Sequence, residues 1–366
     1  MNVSYLRGLN TLRFFAAFFV IISHANISLA KINIIQLRPY AFFERGLDAV
    51  EFFFVLSGFL ITYLLLKEIK KTDTISIKEF YKRRILRIWP LYFLICCIGF
   101  IGLGIVYPHF TGKNFGFPLG KAVLLYLFFL PNLGISLYQM GLLYPLWSIG
   151  VEEQFYLIWA PLVKIFKSRL LIVLLIVAFL SILFYILCFI FIDDQDSALF
   201  KFVKSLKFWA MAIGAIFGYI LFYFEKIKFS KYVASKIVQI TAIAIVCYHY
   251  LIGEPFADNI YYHFFIAVLY GIIIINSCIE STSVINLEKQ PFVYLGTISY
   301  GLYMYHMVVD YFLRTVYQKF ASHSHTIAVE ISYYISLIGL TILVATLSYR
   351  YFESYFLKLK TVHGTH

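Results

Sequence analysis

Arg13 and His24 stand eleven residues apart in an otherwise apolar run, close to three full turns of helix. Both therefore project from one helix face, about 16 Å apart along its axis. A neutral imidazole is the usual proton acceptor near pH 7, and a carboxylate can orient it. Carboxylates in similar apolar surroundings are Glu51, in VEFFFVLSGFLITYLL, and the adjacent Glu152 and Glu153, in PLWSIGVEEQFYLIW. A second histidine, His306, sits in GTISYGLYMYHMVVD. Arg84 and Arg87 are three residues apart, share one helix face, and run directly into an apolar stretch through Ile88, Trp89 and Pro90. The planar donor fork of arginine suits phosphate. Structural readings stand beside these. Arg13 can snorkel to an interface, His24 and His306 can bond backbone groups, and the Glu152–Glu153 pair can sit at a headgroup boundary with Trp147 and Tyr156 as its aromatic belt. Asp48 reads as a solvated helix-end residue, and Ser57 and Gly58 read as helix-packing residues.

The elements that position these groups follow from composition. Of 366 residues, 61% are hydrophobic and only 14% charged, too few charges for a surface that meets water on all sides. The mean hydropathy of +0.82 agrees. The fold class expected is all-α, a polytopic integral membrane protein with about ten transmembrane helices in one bundle. Ten segments are long and apolar enough: 10–30, 46–66, 88–107, 146–166, 170–192, 206–224, 237–252, 260–279, 292–313 and 327–349. The shorter run Val123 to Leu130 ends at Pro131 and reads as interfacial or re-entrant. With an even number of spans both termini share a side. Placing them in the cytoplasm puts 21 of the 31 Lys and Arg there, whereas the inverse breaks the positive-inside rule two to one. The net charge of +12 is then a topology signal and not the footprint of a nucleic-acid partner. No small-x-small cleavage site follows the first apolar run, which predicts a retained span and not a cleaved signal peptide. Cys96, Cys97, Cys188, Cys247 and Cys278 lie in apolar runs without metal-ligand spacing and read as small buried hydrophobes. His323 and His325 read as loop residues, His363 and His366 as tail residues, and no metal site is expected.

In that topology the ionisable groups fall into two layers. Arg13, Arg84 and Arg87 form an inner layer suited to anionic phosphate. His24, Glu51, Glu152 or Glu153, and His306 form an outer layer suited to acid–base work. About three helical turns separate them, a gap that the pantetheine arm of coenzyme A can bridge.

Five motifs, in order, resemble the acyltransferase-3 family of membrane O-acyltransferases. They are LRGLNTLRFFAAFFVIISH with Arg13 and His24; VEFFFVLSGFLIT with Glu51; FYKRRILRIWPLYF with Arg84-x-x-Arg87; LWSIGVEEQFYLIW with Trp147, Ser148, Glu152 and Glu153; and GTISYGLYMYH with Gly296, Ser299, Tyr300, Tyr303 and His306. The last has Met304 and Tyr305 where Leu and Trp are common. The resemblance implies a ten-helix core, residues 1–352, that moves an acyl group, usually acetyl, from cytoplasmic acyl-CoA to a hydroxyl of a cell-envelope glycan or lipid-linked glycan. Acetyl-CoA would be the donor co-substrate, with no metal, and the bacterial inner membrane the location. Arg84 and Arg87, helped by Arg13, would hold the coenzyme A phosphates. His24 would take the hydroxyl proton, with Glu153, Glu152 or Glu51 orienting it or assisting acceptor binding. Trp147, Ser148, Tyr300 and His306 would contact substrate. Residues 353–366 read as a short cytoplasmic tail, and a chain ending there resembles a stand-alone member without the extracytoplasmic esterase-like domain that some members carry. The competing class is a proton-coupled transporter or exporter, which would also use intramembrane Arg, His and Glu. The absence of a repeat between halves and the basic cluster beside a span weigh against it.

Overall fold

The computed structural model describes residues 6–34, 40–106, 108–109, 112, 118–138, 140–224, 226, 230–253, 260–320 and 326–361. His323, His325, His363 and His366 lie outside them. Among the described residues the regular elements are all helical, the main ones being α1 Leu9–Lys31, α2 Gly46–Thr72, α3 Ile77–Ile101, α4 Leu119–Leu127, α5 Pro131–Tyr138, α6 Leu146–Ile165, α7 Leu170–Phe191, α8 Ala198–Ser205, α9 Phe208–Phe222, α10 Lys236–Ile252, α11 Ile260–Cys278, α12 Phe292–Thr297, α13 Ser299–Phe320, α14 Ile327–Ser348 and α15 Ser354–Thr361.

Among the described residues, seven helical stretches are long and apolar enough to cross a membrane: Leu9–Lys31, Gly46–Thr72, Ile77–Val106, Lys167–Phe191, Ala198–Phe222, Tyr261–Cys278 and Ile327–Leu359. The chain is a multi-pass membrane protein. Three of the ten expected segments fall outside that set for physical reasons. Lys236–Ile252 is shorter. The helices α6 and α13 carry the polar groups of the site, Glu152, Glu153, His306 and Asp310 among them, and those groups dilute their apolar character. The run at 123–130 forms α4 and a tight turn at Phe129 (φ 56°) leading into α5, a helical pair too short to span. The third helix begins eleven residues before its expected start. Ser76 caps it by accepting from the Glu79 amide, so the basic run 82–87 is helical and belongs to the span. Residues 292–313 divide into α12 and α13. The helix expected to end at 349 continues through a π-helical turn, Tyr349–Glu353, into α15, which packs against α3; Glu353 is buried.

The core follows the pattern of a bundle in lipid. The stretch Lys167–Phe191 has only 22% of its most apolar window buried, so its Leu, Ile and Phe side chains face hydrocarbon. By contrast 78% of the most apolar window of α2 is buried, and the helix sits at the centre. It lies backbone to backbone against α9: a Cβ on Gly58 would meet the Met211 carbonyl oxygen at 1.9 Å, and one on Gly214 would meet that of Val55 at 1.9 Å. Such close approach is how membrane helices gain packing energy where lipid is as apolar as the core. The cysteine expectation holds for Cys96 and Cys278, which are buried, but Cys97 and Cys247 are exposed on helix surfaces.

Candidate active site

The basic N-terminal half of α3 opens one end of the bundle. Helical periodicity splits its arginines. Arg83 pairs with Glu68, at 2.8 Å, while half-buried Arg84 and exposed Arg87 line a cavity with Arg13 from α1. The cavity holds about 100 Å³ and is also lined by Ser57, Ser148, Glu152, Tyr156, Tyr300 and Tyr303. Arg84 is stacked over Phe80 and Tyr156, at 5.8 and 5.6 Å, which holds its charge by cation–π contact. Its Nε is buried and has no hydrogen-bond partner among the described residues. Arg13 donates to Asn10 Oδ1 at 3.3 Å. Tyr300 reaches the Ile88 carbonyl at 2.8 Å and ties α13 to α3 at the cavity wall. A Cβ on Gly296 would strike the Asn10 carbonyl oxygen at 1.9 Å, so this motif glycine lets α12 seat against the start of α1.

The two adjacent glutamates separate as a helix requires. Glu152 faces the cavity, accepting from Ser57 (2.9 Å) and Tyr156 (3.1 Å). Glu153 turns toward α3 and accepts from Trp89 Nε1 at 3.1 Å. Glu152 thus sits among the arginines and not in the histidine layer where the topology argument put it. Neither glutamate has a hydrogen bond to His24 among the described residues.

Deeper in the bundle the cavity ends at a hydroxyl pair, Ser148 Oγ and Tyr303 OH, 2.7 Å apart, both in reach of the Pro145 carbonyl. One turn beyond Tyr303, His306 is fully buried, and its Nε2 lies 3.2 Å from His24 Nδ1. The His24 ring also meets Tyr144 edge-on at 5.8 Å. One turn further along both helices, Ser28 donates to Asp310 at 2.6 Å, and Tyr333 from α14 donates to the same carboxylate at 2.8 Å. Asp310 and Glu330 are buried ionisable groups that the sequence reading passed over. Their signal was there: each is a lone acid in a predicted span.

Glu51 belongs to a different cluster. It is ion-paired to Lys207, the residue before α9, and lies 3.3 Å from His263 Nδ1. Asp48 is not solvated at a helix end. It is buried beside Glu51, 3.3 Å from Arg45 and 3.3 Å from His249 Nε2, because the starts of α2, α9 and α11 and the end of α10 converge there. Lys207, His249 and His263 were also missed, as each lies near a helix end and reads from sequence as a boundary residue. Ligand atoms of Asp48, Glu51 and His263 lie within 4.8 Å of one another. Arg45 and Lys207 already balance the two carboxylates, which fits an ion-paired network better than a divalent-cation centre. Trp147 is buried edge-on against Phe54 at 5.7 Å and does not line the cavity.

With this geometry in view, the comparisons with known proteins are specific. A family model described as an acyltransferase domain matches residues 6–350. The chain belongs to the acyltransferase-3 family. It is 27% identical over 370 residues to O-acetyltransferase OatA of Staphylococcus aureus (strain NCTC 8325 / PS 47), covering 96% of this chain and 57% of that protein. It is also 27% identical over 379 residues to the putative O-acetyltransferase SACOL0978 of Staphylococcus aureus (strain COL), covering 98% of this chain and 58% of that protein. The chain therefore spans somewhat more than half the length of these relatives. No solved structure matches it.

Proposed function

We propose that this protein is a membrane O-acetyltransferase that moves an acetyl group from cytoplasmic acetyl-CoA to a hydroxyl of a cell-envelope or lipid-linked glycan. One observation carries the reading: three arginines line a single cavity whose end at Tyr303 adjoins the His306–His24 pair. Three guanidinium groups on one cavity offer a cluster of donors that suits a polyphosphate, with Glu152 in the lining and Glu153 and Glu353 close to Arg84 and Arg87. About 100 Å³ accepts a narrow arm and not a nucleotide. The adenosine diphosphate part of the donor would rest at the mouth, among Arg84, Arg87 and Arg13, with the pantetheine arm threading past Glu152 and Ser148. The family and the O-acetyltransferase relatives support the reaction class.

At the deep end, His24 takes the proton of the acceptor hydroxyl as its oxygen attacks the thioester carbonyl. The carbon–sulfur bond breaks, and the departing thiolate receives the proton. Tyr300 and Ser148 line the donor path. The topology that goes with this reading has ten crossings within residues 1–352, both termini in the cytoplasm and the bacterial inner membrane as location. A proton-coupled carrier is the competing reading, favoured by the buried Glu51–Lys207–His263 chain.

The test compares purified wild type with His24→Ala and with Arg84→Ala/Arg87→Ala for acetyl-CoA binding and for thiol release. Wild type should bind and turn over, the double arginine variant should lose binding, and His24→Ala should bind without turnover. Wild type that neither binds acetyl-CoA nor releases thiol, yet carries protons across proteoliposome membranes, would replace the enzyme reading with the carrier.

A further inference from the structure

His24 and His306 form a pair whose hydrogen-bond polarity can be worked out from the surrounding acceptors. His306 Nδ1 lies 2.5 Å from the Tyr303 carbonyl oxygen. Only a donor approaches a carbonyl so closely, so this nitrogen carries the proton. In the neutral ring, Nε2 then bears a lone pair, and it is this atom that faces His24. On the other ring, His24 Nδ1 lies 3.0 Å from the Val20 carbonyl oxygen and 3.2 Å from His306 Nε2. Both neighbours are acceptors, so His24 Nδ1 carries a proton shared between them. The opposite polarity, with His306 Nε2 donating, would require a doubly protonated imidazolium at a site that is 0% exposed, where desolvation penalises charge.

We infer that His306 is a positioning residue that, with the Val20 carbonyl, holds His24 as the Nδ1–H tautomer and so leaves His24 Nε2 as the atom that takes the acceptor's proton. The inference rests on the reading of His24 as the base. It also gives His306 a task during transfer. When Nε2 gains the hydroxyl proton, the ring becomes an imidazolium, and the hydrogen bond from Nδ1 to His306 becomes charge-assisted and stronger. His306 thereby stabilises the protonated base without touching substrate. The Ser28–Asp310–Tyr333 contacts, four residues further along both α1 and α13, form a second rung that keeps the two helices in the register the histidine pair needs.

The experiment measures thiol release from acetyl-CoA by inverted membrane vesicles of the expression host, which supply their own acceptors, together with acetyl-CoA affinity of the same vesicles. Glutamine places an acceptor oxygen near the position of His306 Nε2, and leucine does not. His306→Leu should lower kcat about 10- to 100-fold, the effect of losing a hydrogen bond to a charged group, while KM for acetyl-CoA stays within about twofold. His306→Gln should recover roughly tenfold over the leucine variant. Equal rates for the two, whether both high or both low, would overturn the role of the acceptor atom. Since the leucine variant can fail to fold, the tautomer is also read directly by 15N solid-state NMR of histidine-labelled protein, differenced against His24→Ala. The lost signals should be a protonated Nδ1 and a bare Nε2, and a bare Nδ1 would overturn the inference. A His24→Ala variant that releases thiol at the wild-type rate would instead remove the parent reading of His24 as base.

Discussion

Two clusters of ionisable groups share the central helix α2, and they differ in burial and in how their charges are paired. At one end, Arg13, Arg84 and Arg87 surround a cavity with Glu152 as the one lining carboxylate, and Arg84 keeps a buried donor without a partner among the described residues. Toward the other end, Asp48 with Arg45 and Glu51 with Lys207 are matched carboxylate for cation, with two histidines alongside. Arginines that line a cavity without a direct ion pair among the described residues keep donors open for an anionic group. A balanced cluster needs none. The comparison teaches that depth in the membrane does not by itself mark a catalytic carboxylate. Glu51 is the most buried of the three candidate glutamates, yet its partners already account for it.

The largest effect expected from this contrast is at the arginine-lined end. Arg84→Ala/Arg87→Ala removes two charge-assisted contacts of about 1.5–3 kcal/mol each, so acetyl-CoA affinity should fall by about 10²–10⁴-fold in titration calorimetry. Melting in detergent should change little, because these side chains support no balanced network. The second effect reverses that pattern. Lys207→Met strands Glu51 in a buried site and should destabilise the bundle by about 3–5 kcal/mol, read as a lower detergent unfolding midpoint. Acetyl-CoA affinity of the folded protein should be unchanged, and Lys207→Met/Glu51→Gln should recover most of the stability. A Lys207→Met variant of normal stability that fails to bind donor would erase the distinction between the two clusters.

Much of the fold was legible because lipid imposes a simple rule: each crossing needs a long apolar helix, and loops keep their positive charges on one side. The arginine cradle was legible for a related reason. Arg84 and Arg87 are three residues apart, and spacing along one helix fixes a shared face without knowledge of any partner. What depended on contacts between helices was not legible. Sequence placed Glu51, Glu152 and His24 in one layer by depth alone, but rotation about each helix axis sends Glu51 to Lys207, Glu152 to Ser57 and Tyr156, and His24 to His306. Depth is a one-helix property, whereas azimuth is set by packing. Asp310 and Lys207 were missed for the same reason, since each acquires meaning only through Ser28 and Tyr333 or through Glu51.

The smallest expected effect is the sharpest test of the contrast, because its sign is at stake. Glu152 is the carboxylate that faces the arginines, and its two hydroxyl donors, Ser57 and Tyr156, hold it there without neutralising it. If the cavity is built for phosphate, this carboxylate opposes the donor's charge across a partly screened distance, worth about 1 kcal/mol. Glu152→Gln keeps one hydroxyl contact through the amide oxygen, lets the other hydroxyl accept from the amide nitrogen, and removes the charge. Acetyl-CoA affinity should then rise roughly fivefold, and the gain should shrink as ionic strength increases. A loss of affinity would mean that Glu152 organises the guanidinium groups and does not repel the ligand. The arginine-lined end would then depend on an internal ion pair much as the Glu51 cluster does, and the two ends of α2 would differ in degree and not in kind.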